Sequence, residues 1–168
     1  MQQKVVDAVI ENARTEKKPC LIHGVTGSGK TEVYMELIAE AAGRGTQSIV
    51  LIPEIALTYQ TVMRFYHRFG DRVSIMNSKL SPGERSDQFE RAKKGEIDVM
   101  IGPRSALFTP FSNLGYIIID EEHEGTYKSE TIPRYHARET AIERARMSGA
   151  TVILGSATPS IESFYHAK

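Results

Sequence analysis

Short apolar runs alternate with longer stretches of mixed polarity along the whole chain. The runs are rich in valine and isoleucine and stay apolar at consecutive positions, as in strands covered by helices on both faces. Strands are therefore expected at 20–23, 48–52, 73–76, 99–101, 116–119 and 151–154. Between them, apolar residues recur at helical spacing. In 57–69, Val62, Phe65, Tyr66 and Phe69 share one face, while Arg64, His67 and Arg68 point elsewhere. The stretch 81–94 opens on Ser81-Pro82-Gly83-Glu84, an N-cap followed by proline at the first helical position. A further helix is expected over 136–147, after a loop closed by Pro133. Strands and helices in this alternation predict an α/β fold with a parallel sheet, whose ligands gather at the carboxyl ends of the strands.

Chemistry-bearing residues sit at those ends. After the first strand, Gly24-Val25-Thr26-Gly27-Ser28-Gly29-Lys30-Thr31 fits the phosphate-binding loop G-x-x-x-x-G-K-[ST] at every required position, and a helix-like run through Ile38 follows. The glycines let the backbone wrap an anion, and the first N–H groups of the helix point at it. Lys30 is expected to reach the β- and γ-phosphates and the Thr31 hydroxyl to ligate Mg²⁺. Ile117-Ile118-Ile119 runs directly into Asp120-Glu121-Glu122-His123. A carboxylate there, beside the phosphate loop, is placed to hold Mg²⁺ through Asp120, with Glu121 to orient or deprotonate water. Glu122 adjoins Glu121 and competes for that role. The plain alternative for this string is a solvated acidic turn.

Other strand ends carry weaker signals. Gly155-Ser156-Ala157-Thr158-Pro159 offers small hydroxyl side chains that can bond His123 or a phosphate, though Thr158-Pro159 also suits a simple helix start. Pro53 to Thr58 and Gly102 to Ala106, including Arg104 and Ser105, suit gripping backbone phosphates and equally suit plain turns. Beyond the acidic string, Tyr127, Lys128, Arg134, Tyr135 and His136 interleave aromatics with cations, a composition that stacks bases and holds the phosphates of a single strand. Packing of Tyr135 in the core is the alternative.

Composition narrows the class. At 168 residues the chain suits one domain able to bury about 70% of its unfolded surface. No apolar run approaches a membrane span, and Met1-Gln2-Gln3-Lys4 has no signal-peptide form. The lone cysteine, Cys20, excludes an internal disulfide or a multi-thiolate zinc site, and is expected as a small core hydrophobe in a cytoplasmic setting. With 21 basic and 21 acidic residues there is no global field favouring nucleic acid, so any such contact must be local.

Taken in order, these strings resemble motifs I, Ia, Ib, II and III of the first RecA-like lobe of a superfamily 2 helicase. The resemblance is closest to the replication-restart helicases. It rests on Gly24 to Glu32, Pro53 to Thr58, Arg104 to Phe108, Asp120 to His123, Arg134 to Arg138 and Gly155 to Ser160, and covers essentially the whole chain. It implies a RecA-like P-loop NTPase three-layer sandwich with a mostly parallel central sheet, 1–168 forming one ATP-binding lobe of a larger helicase. It also implies ATP or ADP with Mg²⁺ as ligands, catalytic roles for Lys30, Asp120, Glu121 and His123, and nucleotide contacts from Gln2, Gly24, Thr26, Gly27, Ser28, Gly29, Lys30 and Thr31. Gln2 falls where the family reads the adenine edge. Ser156 and Thr158 would couple the site to DNA held by Thr58, Arg104, Ser105, Tyr127, Lys128, Arg134, Tyr135 and His136.

Two departures stand out. Pro133 occupies a place where some relatives carry an aromatic, and Pro103 replaces a small or hydroxyl residue expected before Arg104, removing a backbone N–H from that phosphate contact. The resemblance further implies a second RecA-like lobe bearing an arginine finger, zinc-binding cysteines in that lobe, and primosome and single-strand-binding proteins as partners. None of these belongs to this stretch of chain. A lone lobe is expected to bind nucleotide, barely hydrolyse it and not unwind DNA. Rival readings are another superfamily 2 translocase lobe, a P-loop kinase, or a docking module for DNA or protein. Asn77-Ser78-Lys79-Leu80 does not fit the guanine reader of a GTPase.

Overall fold

A computed structural model of the chain describes residues 2–23, 28–77, 79–120 and 137–156. In chain order its elements are α1 (Gln2–Arg14), β1 (Cys20–His23), α2 (Ser28–Gly43), β2 (Gln47–Leu51), α3 (Tyr59–Phe69), β3 (Val73–Ile75), α4 (Pro82–Lys93), β4 (Val99–Gly102), β5 (Leu114–Asp120), α5 (Ala137–Ser148) and β6 (Thr151–Ser156). Short 3₁₀ turns cover Glu54–Ala56, Gly70–Arg72 and Arg104–Phe108.

The six strands form one sheet in the order β1-β6-β5-β2-β4-β3, and every pairing between them is parallel. Side chains alternate across it. Ile117 and Ile119 of β5 enter a core shared with Ala92, Leu107, Ala141 and Ala145, whereas Tyr116 and Ile118 enter one shared with Val6, Leu37, Ile38 and Phe65. Helices α1, α2 and α3 therefore cover one face, with α4, α5 and the Arg104–Phe108 turn on the other. This is the expected three-layer arrangement. The unbroken apolar runs have their reason here, because both faces of the central strands are buried.

Several boundaries differ from expectation. β5 extends from Leu114 to Asp120 rather than 116–119, because Leu114 is itself buried and pairs beside Gln47. β6 runs on to Ser156 because β1 and β5 flank it on both sides. Helix α3 starts at Tyr59, since Thr58 caps it by accepting from the Thr61 N–H at 3.3 Å. Its inward face is narrower than expected. Phe65 is fully buried, but Tyr66 is 44% exposed, with its hydroxyl 3.5 Å from Asp71 Oδ1. Ser81 caps α4 as expected, its Oγ accepting from the Glu84 N–H at 3.1 Å.

Cys20 is only partly buried. Its Sγ accepts from Asn12 Nδ2 at 2.9 Å, and burial raises the thiol pKa. Asn12 belongs to α1, an element with no counterpart among the expected ones. Its apolar positions Val6, Val9, Ile10 and Ala13 fall three or four apart among polar residues, a stripe and not a run, and pack against α2.

Candidate functional site

The register of the sheet brings the strand ends to one level. Asp120 of β5 pairs with Gly155 of β6, which pairs with Ile22 of β1. Ser156 lies beside His23 at the end of β1, so its backbone stands at the same edge of the sheet. Helix α2 starts at Ser28 and carries Lys30 and Thr31 in its first turn. Lys30 is 6% exposed, with its Nζ 3.9 Å from Asp120 Oδ1, while Thr31 is half-buried. A buried ammonium needs an opposing charge, and the strand-end carboxylate supplies one.

A hydrogen-bond donor meets the same carboxylate. The Tyr34 hydroxyl donates to Asp120 Oδ1 at 2.7 Å. Tyr34 was not among the residues expected at the site, although it lies four positions after Lys30, on the same side of the helix. That spacing was the available signal.

One carboxylate and one hydroxyl make an oxygen donor set suited to Mg²⁺ held largely through phosphates and water. Among the described residues no group of three or more His, Cys, Asp or Glu side chains forms a metal cage. The residues present fit a magnesium–nucleotide complex, which Asp120 and Thr31 would hold.

Two flanking strands carry the next group. Leu51 of β2 is paired with Gly102 of β4, so Pro53–Thr58 and Pro103–Phe108 leave the sheet side by side. Thr58 and the half-buried Arg104 and Ser105 lie on these connections with exposed Ile55 (86%) and Phe108, and exposed Tyr59 (77%) opens α3 next to Thr58. Helix α3 is tied to α2 by two ion pairs, Arg64–Glu32 at 2.9 Å and Arg68–Glu36 at 2.8 Å. Each pair is partly exposed, and such pairs contribute little stability, ~0–1 kcal/mol. Their effect is to register the Thr58 end of α3 against the helix that carries Lys30.

The carboxyl edge is thus divided. Lys30, Thr31 and Asp120 gather at β1, β6 and β5; Thr58, Arg104 and Ser105 gather beyond β2 and β4. Gln2, Ser28 and Gly29 lie in helices α1 and α2. Gly24, Thr26, Gly27, Glu121, His123, Tyr127, Lys128, Arg134, Tyr135, His136 and Thr158 lie outside the described residues.

This fold has close counterparts. A RecG structure bound to a three-way DNA junction superposes with a TM-score of 0.68 at 24% identity, covering 99% of this chain and 22% of that one. The Hef helicase domain of Pyrococcus furiosus gives 0.67 at 18% identity, covering 97% and 34%. The fold is that of a helicase lobe of RecA-like type. Residues 1–166 match the DEAD/DEAH box helicase family, and the chain belongs to that family. Among curated proteins it is 53% identical to the replication restart protein PriA of Bacillus subtilis over 153 residues, 91% of this chain and 19% of that protein. It is 48% identical to PriA of Chlamydia pneumoniae over 168 residues, 99% of this chain and 22% of the relative. The chain therefore spans about a fifth of the length of these relatives.

Proposed function

We propose that this chain is the ATP-binding first lobe of a DNA helicase/ATPase that acts in replication restart. The observation that carries the reading is the meeting of buried Lys30 with Asp120 at the shared end of β1, β6 and β5. In this reading Lys30 holds the β- and γ-phosphates, and Thr31 and Asp120 hold the metal. When bound, Mg-ATP supplies the transferable phosphoryl group and the charge that stabilises its departure. The chain's own contribution is to fix those phosphates on the N-terminal turn of α2 and to present Asp120 opposite them. Glu121 orients or deprotonates the attacking water, and His123, Ser156 and Thr158 couple hydrolysis to DNA.

The connections after β2 and β4 suit a single strand of DNA. Thr58, Arg104 and Ser105 offer phosphate contacts, and the exposed apolar groups of Ile55, Tyr59 and Phe108 add surfaces for bases. Tyr127, Lys128, Arg134, Tyr135 and His136 join them in this proposal. A second RecA-like lobe closes on the nucleotide and supplies an arginine finger, with primosome and single-strand-binding proteins as further partners in the cytoplasm. Among the described residues no helix is long and apolar enough to cross a membrane.

The test is titration of a fluorescent ATP analogue into the chain and into Lys30→Ala, with hydrolysis followed with and without single-stranded DNA. Loss of a charge-assisted phosphate contact should weaken binding about tenfold or more in the variant. Turnover by this stretch of chain should be slight, since this reading assigns the finger to the second lobe. Nucleotide binding indifferent to Lys30 would overturn the reading, and DNA binding equally indifferent would point to a docking module.

A further inference from the structure

Three sequence strings far apart in the chain converge on one phenolic oxygen. Tyr34 is 1% exposed, and its hydroxyl reaches Asp120 Oδ1 at 2.7 Å, the oxygen that Lys30 Nζ faces at 3.9 Å. Behind it stands Gly155. A Cβ at that position would fall 1.7 Å from the Tyr34 oxygen and 2.8 Å from its Cζ, a separation no side chain sustains. Only glycine leaves room for the phenol to reach the carboxylate. One hydrogen-bond donor and one facing cation restrict the carboxylate's rotation, and both come from the same face of α2.

We propose that Tyr34 is a positioning residue for the metal-holding carboxylate Asp120, and that Gly155 is the space through which it acts. The proposal rests on the reading of Asp120 as a magnesium ligand. Tyr34 touches neither substrate nor metal in this account. It sets the direction in which Asp120 presents its charge, so its loss should alter metal dependence more than nucleotide contact. Because Gly155 packs against the phenol, a shift of the β6 end is transmitted to the same carboxylate.

Tyr34→Phe keeps the ring and removes only the hydroxyl. Binding of a fluorescent ADP analogue is titrated against Mg²⁺ for the parent chain, Tyr34→Phe and Lys30→Ala. The half-saturating Mg²⁺ concentration should rise about tenfold in Tyr34→Phe, as expected for losing a hydrogen bond to a charged group. Affinity in excess chelator should be unchanged, and high Mg²⁺ should restore full binding. A merely structural role would weaken binding with and without metal alike. A half-saturation point within about twofold of the parent's would overturn the proposal while leaving the nucleotide site intact. A parent chain insensitive to both Mg²⁺ and Lys30→Ala would overturn the site reading and this proposal together. A second measurement needs no nucleotide. The urea stabilities of Tyr34→Phe, Asp120→Asn and the double variant should be non-additive, and strict additivity would remove the coupling proposed.

Discussion

The phenol of Tyr116 shows how a single buried hydroxyl records its surroundings. It donates to Glu40 Oε2 at 3.1 Å, and the Arg44 guanidinium lies 5.7 Å from the ring centroid. Burial, and then the charge and hydrogen bond of Glu40, push its pKa from 10.0 up to about 12, with Arg44 opposing the shift. The folded chain therefore keeps a proton that the unfolded chain releases. Below pH 10 both states are protonated, and the group adds no pH dependence; between pH 10 and about 12 stability falls as pH rises. Tyr116→Phe should remove that part of the alkaline loss, seen as a smaller difference in urea midpoint between about pH 9 and about pH 11. Little in the sequence marks such residues, beyond the four-residue spacing of Tyr34 from Lys30. Tyr116 reads as one more position of a β-run, and Tyr34 as one more apolar position of a helix, because each owes its role to a partner 76 or 86 residues away. Lys30 and Asp120 were legible for the opposite reason, since a local string states each one's chemistry.

Among the elements, α5 and the Arg104–Phe108 turn are joined by one side chain. Arg144 donates to the carbonyl oxygens of Leu107 and Thr109, straddling the end of the turn. Its desolvation lowers the guanidinium pKa, yet arginine remains charged at any working pH. Arg144→Leu keeps the aliphatic packing but removes the donor to the Leu107 carbonyl and one of the two donors to the Thr109 carbonyl, which the Phe111 N–H still meets at 2.9 Å. It should lower unfolding free energy by about 1.5–3 kcal/mol, measured as a shift in urea midpoint at constant slope. The tie also fixes where Arg104 and Ser105 stand, so the same variant should loosen any phosphate contact they make. Element type was legible wherever β-branched runs or caps marked it, as Ser81 did for α4. Helix α1 was not, because a stripe of four apolar positions is diluted by polar neighbours and becomes a face only once α2 lies beneath it.

At the scale of the whole molecule, the order β1-β6-β5-β2-β4-β3 places the two groupings of candidate residues along one edge of one sheet. The layering was legible, since only helices on both sides make three successive isoleucines profitable; strand order was not, because no local pattern states which strands lie side by side. The two outer layers are built differently. On one face α2 contributes Tyr34, Leu37 and Ile38; on the other α5 offers Ala137, Ala141 and Ala145, one residue per turn and all buried. Leu37→Ala should cost about 2–5 kcal/mol by opening a void. Ala141→Leu should cost about 1–3 kcal/mol by lifting α5 from the sheet. Thermal melts of both variants check the pair. The consequence reaches past stability, to how such a chain is free to drift: one flank fails by emptying and the other by filling. Tolerated changes on the first must conserve bulk, while the second must remain a row of methyl groups for as long as the helix is to lie that close.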